Sequence, residues 1–269
     1  MPHDVYDAAR NRYLDVGDAR LFVTEAGAPD GEPVLLLHGG LGDVYDFKSI
    51  VTGLPQHLRL IALELRGQGR SSRGTAPLSY AQYQADVLAV LDHMQIASAR
   101  LLGFSDGGII GYRLAAQNPQ RVRALATIGS QWRLLPDDPC IPIFQGLTRQ
   151  QWQSLFPSAV ARYEAGNPQP DFDALLEEVK ALWLDADPAT GYPGDMVEHI
   201  AAPTLLICGD RDPFMPVSEV QALRERITGA NAGVFILPFA DHAAHAQARA
   251  VFLPAVNAFL SAPDAPALR

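Results

Sequence analysis

The strongest constraint on the fold is a repeated alternation along the chain: short, unbroken apolar runs separated by longer helical stretches. The runs are PVLLLHG (33–39), LRLIALEL (58–65), ARLLGFS (99–105), RALATIG (123–129), PTLLICG (203–209) and GVFILPF (233–239). Apolar runs this short, bounded by turn residues, fit strands buried on both faces, the signature of a parallel sheet covered by helices on either side. ARLFVTEAG (19–27) alternates instead and predicts a half-exposed strand. Between the runs, 79–95 carries Tyr83, Val87, Val90, Leu91 and Met94 at helical spacing, with Ser79 placed to cap it. Helices are also predicted over 106–119, stopped by Pro119, over 217–227 and over 248–260, where Pro254 predicts a kink or a later start.

Residues 131–202 break the alternation. They hold all three tryptophans, Trp132, Trp152 and Trp183, several prolines and one clear helical run, FDALLEEVKALWL (172–184). A stretch this long between two core strands carries structure of its own. It reads as a helical cap inserted into a core made of 1–130 and 203–269. The tryptophans either line a pocket or form the interior of the insertion. Core is the expectation for at least two of them, and Trp132 is taken as a candidate substrate contact.

Composition narrows the function. The chain has 269 residues, 48% hydrophobic and 19% charged, with a formal net charge of −9. That is ordinary for a globular chain, and with no Lys/Arg cluster it offers no electrostatic footprint for nucleic acid. Neither an apolar segment of membrane-spanning length nor the apolar stretch of a signal peptide is visible, so a cytoplasmic protein without a membrane partner is expected. The two cysteines, Cys140 and Cys208, fit no metal-ligand spacing.

GFSDG (103–107) fits G-x-S-x-G. Chance would produce that pattern ~0.1 times in a chain of this length, so context decides. Here it follows a strand pattern and opens a helix pattern, the setting of a serine held on a sharp strand-to-helix turn. Glycines at 103 and 107 relieve the crowding at such a turn, and Gly108 favours close approach of helix to sheet. A serine hydroxyl needs a base. His242, in PFADHAAH just after a predicted strand, is the candidate, and His245 its rival. The histidine needs an acid to orient it. GDRDPFMP (209–216) offers Asp210 and Asp212, in the chain order Ser…Asp…His.

Four motifs together resemble the α/β-hydrolase superfamily over nearly the whole chain: HGG (38–40), RGQGRS (66–71), GFSDG (103–107), and GDRDPFMP followed by ADH. Two departures are visible. Glu64 precedes RGQGRS where the family usually has Asp, and ADH replaces the usual G-x-G-H. The resemblance implies the α/β-hydrolase fold: a mostly parallel central sheet flanked by helices, with an inserted helical cap. It implies Ser105 as nucleophile, Asp212 as acid from its distance to Pro216, and His242 as base. The backbone N–H groups of Gly40 and Asp106 would form an oxyanion hole. No metal or cofactor is implied. The expected activity is hydrolysis of an ester or amide of a small molecule. C–C bond hydrolysis, lactone opening, perhydrolysis and a non-catalytic receptor are the alternatives on the same frame. GxSDGG also resembles the elbow of valacyclovir-hydrolase-type relatives, which implies that Asp106 could face a substrate ammonium. The other reading of Asp106 is an ordinary acid in the first turn of a helix.

Overall fold

A computed structural model describes residues 5–228 and 232–263. Eight strands form one sheet in the order β1-β2-β4-β3-β5-β6-β7-β8. They are β1 (Asp7–Val16), β2 (Ala19–Gly27), β3 (Pro33–Leu37), β4 (Arg59–Leu63), β5 (Ala99–Phe104), β6 (Val122–Ile128), β7 (Thr204–Gly209) and β8 (Ala232–Leu237). From β4 through β8 every neighbouring pair is parallel, whereas β1–β2 and β2–β4 are antiparallel. The apolar runs therefore became parallel strands, for the reason their continuity implies. Along β3, Leu35 and Leu37 join one core while Val34 and Leu36 join the other. Side chains alternate faces, so a strand covered on both sides must be apolar at every position.

The helices supply the covers. They are α1 (Tyr80–His93), α2 (Asp106–Gln117), α7 (Val217–Arg226), the short α8 (Ala244–Gln247) and α9 (Arg249–Leu260). Ser79 caps α1, its hydroxyl accepting the N–H of Gln82 at 3.0 Å. α9 runs through Pro254 without ending there and begins at Arg249. Among the described residues, no helix is long and apolar enough to cross a membrane.

Two edges depart from the expectation. β1, DAARNRYLDV, mixes polar and apolar residues with no unbroken apolar run to announce it. It is pinned by Arg10 and Arg12, which pair with the buried Glu25 of β2, where Arg59 of β4 also binds. β8 was expected to be buried on both faces, yet Leu237 is its one buried residue and Ile236 is 37% exposed. It pairs only with β7 and closes the edge of the sheet.

Between β6 and β7 lie α3 (Cys140–Gly146), α4 (Arg149–Leu155), α5 (Pro157–Gly166) and α6 (Phe172–Trp183). Local capping sets two of their starts: a Thr148/Gln151 capping box on α4 and Asp171 on α6. Three polar links tie these helices to loops at the carboxyl ends of the strands. Arg162 of α5 pairs with Asp43 at 2.6 Å. The Asn167 amide donates to the carbonyls of Gly69 and Ser71 at 2.9 and 3.0 Å. Trp183 donates to Asp106. The RGQGRS loop is itself braced by the buried Glu64, whose carboxylate accepts from the Arg70 side chain and whose carbonyl accepts from Ser71.

Candidate active site

Ser105 sits at the turn between β5 and α2 with φ 51° and ψ −118°. A side chain other than glycine rarely takes a positive φ outside the left-handed helical region, and such strain clusters at functional turns. The neighbours explain why the turn holds. A Cβ at position 103 would fall 2.4 Å from the Gly107 carbonyl oxygen, and one at 107 would fall 2.0 Å from that of Leu37. Only hydrogen at both positions lets β5, α2 and β3 meet this closely.

His242 follows β8, and its Nε2 lies 3.0 Å from Ser105 Oγ. On the other side of the ring, Nδ1 lies 3.0 Å from Asp212 Oδ2 and 3.1 Å from Oδ1. Asp212 follows β7 and is buried, and its carboxylate accepts the N–H groups of Phe214 and Met215 at 2.9 and 3.2 Å. A buried carboxylate held this way keeps the proton on Nδ1 and turns the Nε2 lone pair toward the serine hydroxyl. Asp210 is exposed on the same turn and makes no such contact. His245 points elsewhere. It is buried against Phe47, Phe104 and Phe252, its Nε2 donates to the Asp46 carbonyl at 3.0 Å, and burial lowers its pKa to about 4. It is a neutral core histidine.

The HGG turn after β3 is braced from below. His38 is buried, with its Nδ1–H donating to Gly39 O at 2.7 Å and its Nε2 accepting the Leu65 N–H at 2.9 Å. Burial lowers its pKa to about 4. Asp46 accepts the Gly39 N–H at 3.1 Å. Among the described residues, the N–H groups of Gly40 and Asp106 have no acceptor.

Burial and the charge of Asp43 push the Asp46 carboxyl from 3.8 up to about 8. The folded protein therefore keeps a proton there that the unfolded chain loses, and stability falls as pH rises between those values. Asp46→Asn retains an acceptor for Gly39 without this loss. Its advantage over wild type is expected to grow from pH 5 to pH 8, read from urea midpoints at fixed ionic strength. A margin independent of pH would contradict the assignment.

The tryptophan placement corrects one expectation. The Trp132 indole N–H donates to Glu219 of α7 at 3.1 Å, and Arg133 lies 4.4 Å over its ring. It is buried as a core residue. The indole at the site is that of Trp183, whose Nε1–H donates to both oxygens of Asp106, at 2.9 and 3.1 Å. Tyr80 of α1 adds its hydroxyl to Asp106 Oδ1 at 3.2 Å. Nothing in the sequence ranks Trp183 above the other two tryptophans or pairs Tyr80 with Asp106.

This fold is that of a known class. A family model described as alpha/beta hydrolase fold matches residues 32–167, and the chain belongs to that family. It is 29% identical over 247 residues to a dihydrolipoyllysine-residue acetyltransferase component of an acetoin cleaving system from Pseudomonas putida, with 87% of this chain covered. The chain spans 65% of that relative's length. It is 25% identical to 3-oxoadipate enol-lactonase 2 of Acinetobacter baylyi, covering 92% of this chain and 95% of the relative. Among solved structures, a hydrolase from Pseudomonas aeruginosa PA01 superposes with a TM-score of 0.75 at 25% identity, covering 95% of this chain and all of that one.

Proposed function

We propose that this protein is a serine hydrolase that cleaves an ester of a small molecule through an acyl-enzyme. The observation that carries the reading is the continuous line Asp212–His242–Ser105, with both gaps at 3.0 Å and the serine on a strained turn. In the first half-reaction Ser105 Oγ attacks the carbonyl carbon while His242 Nε2 takes the hydroxyl proton. The N–H groups of Gly40 and Asp106 hold the oxyanion. The C–O bond to the leaving group then breaks, and His242 returns the proton to the leaving oxygen. In the second half, water attacks the acyl-enzyme by the same route and Ser105 is released. Asp212 steadies the imidazolium in both. The helices of residues 131–202 serve as a cap over this centre. No cofactor enters these steps.

The relative named as an enol-lactonase supports ester cleavage, a lactone being a cyclic ester. The α-amino-acid ester reading requires the Asp106 carboxylate to face the substrate. Its oxygens already accept from Trp183 and Tyr80, which favours a plain acyl ester. Amides, lactones and C–C bonds would use the same three residues and differ only in the surrounding pocket.

A fluorophosphonate probe tests the reading. Wild type is expected to gain one adduct, mapped to Ser105 by peptide mass spectrometry, and Ser105→Ala none. No labelling, or equal labelling of the variant, would leave the non-catalytic receptor as the better reading.

A further inference from the structure

The residue after the nucleophile is an acid, and its side chain takes no part in the steps above. We infer that Asp106 is a positioning residue that clamps the Trp183 indole against Gly40, and that Trp183, so held, sets the size of the acyl group the site accepts. The inference rests on the hydrolase reading and deepens it.

Three elements meet at the Asp106 carboxylate. The acid is the first residue of α2, Tyr80 the first of α1 and Trp183 the last of α6. Asp106 is 1% exposed, and its partners are neutral donors: the indole N–H, which reaches both oxygens, and the tyrosine hydroxyl. A first-turn acid serving only the helix dipole would gain as much at the surface, without the cost of burial. The burial is explained if two acceptor oxygens are needed to seat an indole. A carboxylate offers two acceptor oxygens, whereas an amide offers one.

Gly40 shows what the clamp achieves. A Cβ there would fall 2.6 Å from Asp106 Oδ2 and 2.6 Å from Trp183 Cζ2. Carboxylate and indole thus both rest on the Gly40 Cα, next to the N–H assigned to the oxyanion. An acyl carbonyl whose oxygen lies between the Gly40 and Asp106 N–H groups is brought alongside the indole. Trp183 cannot easily retreat. Phe144 packs on it at 5.0 Å, Trp152 lies 6.4 Å away, and the Tyr192 hydroxyl donates to its carbonyl at 3.0 Å. Phe144 stacks in turn on Phe214 at 5.4 Å, and Phe214 meets His242 edge-on at 4.9 Å. An aromatic arc therefore runs from the indole to the candidate base and bounds the acyl side of the reaction.

The test reads acyl preference along a series of p-nitrophenyl esters from acetate to octanoate. Trp183→Ala should raise the ratio of hexanoate to acetate kcat/KM by about tenfold or more, since one methylene can be worth that much in a tight pocket. Asp106→Leu keeps the size but removes both acceptors, and should shift the ratio in the same direction. The double variant should move it no further than Trp183→Ala alone. Asp106→Asn, with one acceptor left, should give an intermediate shift. An unchanged ratio in Asp106→Leu, or additive shifts in the double variant, would overturn the clamp. Selective loss of α-amino-acid esters in Asp106→Asn, with Trp183→Ala unaffected, would put a substrate ammonium there instead.

A second readout needs no turnover. Burial pushes the Asp106 carboxyl up to about 6, opposed by its hydrogen bonds from Trp183 and Tyr80. The indole N–H resonance of Trp183, assigned with Trp183→Phe, should titrate near that pH. Tyr80, Tyr83, Tyr192, Asp46 and His242 are the other ionisable groups facing Asp106. The titration should therefore persist in His242→Ala and Asp46→Asn and vanish in Asp106→Asn. A titration of that resonance that survives in Asp106→Asn would overturn the clamp. Absence of both ester turnover and Ser105 labelling would overturn the hydrolase reading, and the acyl-size role with it.

Discussion

Alanine at Ser105 or His242 is expected to lower kcat by about 10⁶-fold, and Asp212→Asn by about 10⁴-fold. The measurement is turnover of the fastest p-nitrophenyl ester. The first two variants remove the nucleophile or its base outright. The third leaves the shape intact but inverts a proton. An asparagine amide facing His242 Nδ1 donates where the carboxylate accepted, so the ring proton moves to Nε2 and confronts the serine hydroxyl 3.0 Å away. The three groups act as a unit, so a Ser105→Ala/His242→Ala double variant should be no slower than either single one. Asp210→Asn should stay within about threefold of wild type, as substitutions at exposed sites usually do little. A severe Asp210 effect with a mild Asp212 effect would exchange the two acids and break the proposed order of proton transfer.

Gly107→Ala should be the most destabilising small substitution near the site, by about 3 kcal/mol or more. The added methyl would lie 2.0 Å from the Leu37 carbonyl oxygen. Leu37 belongs to β3, a strand bonded to β4 on one side and β5 on the other, and it is fully buried. Its backbone cannot yield without disturbing both neighbours, so α2 must lift off the sheet and carry Ser105 with it. A displacement of ~1 Å at a reacting atom can cost about 10²-fold in rate, so activity should fall along with the urea midpoint. Gly146→Ala is the control. Nothing lies within 4 Å of a Cβ at that position, which closes α3, and its effect should be neutral or stabilising by up to about 1 kcal/mol. Equal midpoints for Gly107→Ala and wild type would mean that the close approach of α2 to β3 is not what holds the turn.

The six apolar runs all became strands, because a strand covered on both faces must be apolar at consecutive positions, and that requirement is written locally. β2 formed as its alternation implied, but it is buried at seven of its nine positions rather than half-exposed, since alternation does not say what will pack on the outer face. β1 escaped because nothing local marks it. Its polar and apolar residues are mixed, and its place is secured by β2 and by Glu25, a partner more than ten positions away from both Arg10 and Arg12. The burial expected of β8 was wrong for a related reason: a run of apolar residues does not say whether a further strand will lie beyond it. At the site, strand-before and helix-after singled out Ser105. For the acid and the histidine, the residues alone offered two neighbours each and the family resemblance implied Asp212 and His242; the fold turns these two toward one another, while Asp210 faces solvent and His245 the core.

By itself, then, the chain's pattern determined which segments from β2 to β8 become strands, where the sharp turn falls and which serine stands on it, since each depends on side-chain spacing within a few residues. The tertiary structure alone decided what the aspartate beside that serine touches. Asp106 and Trp183 are 77 positions apart, and Trp132, the tryptophan favoured from sequence, was drawn away to Glu219. A hydrogen bond between distant segments depends on how the four helices between β6 and β7 pack against the rest of the chain, and no local run of residues encodes that geometry.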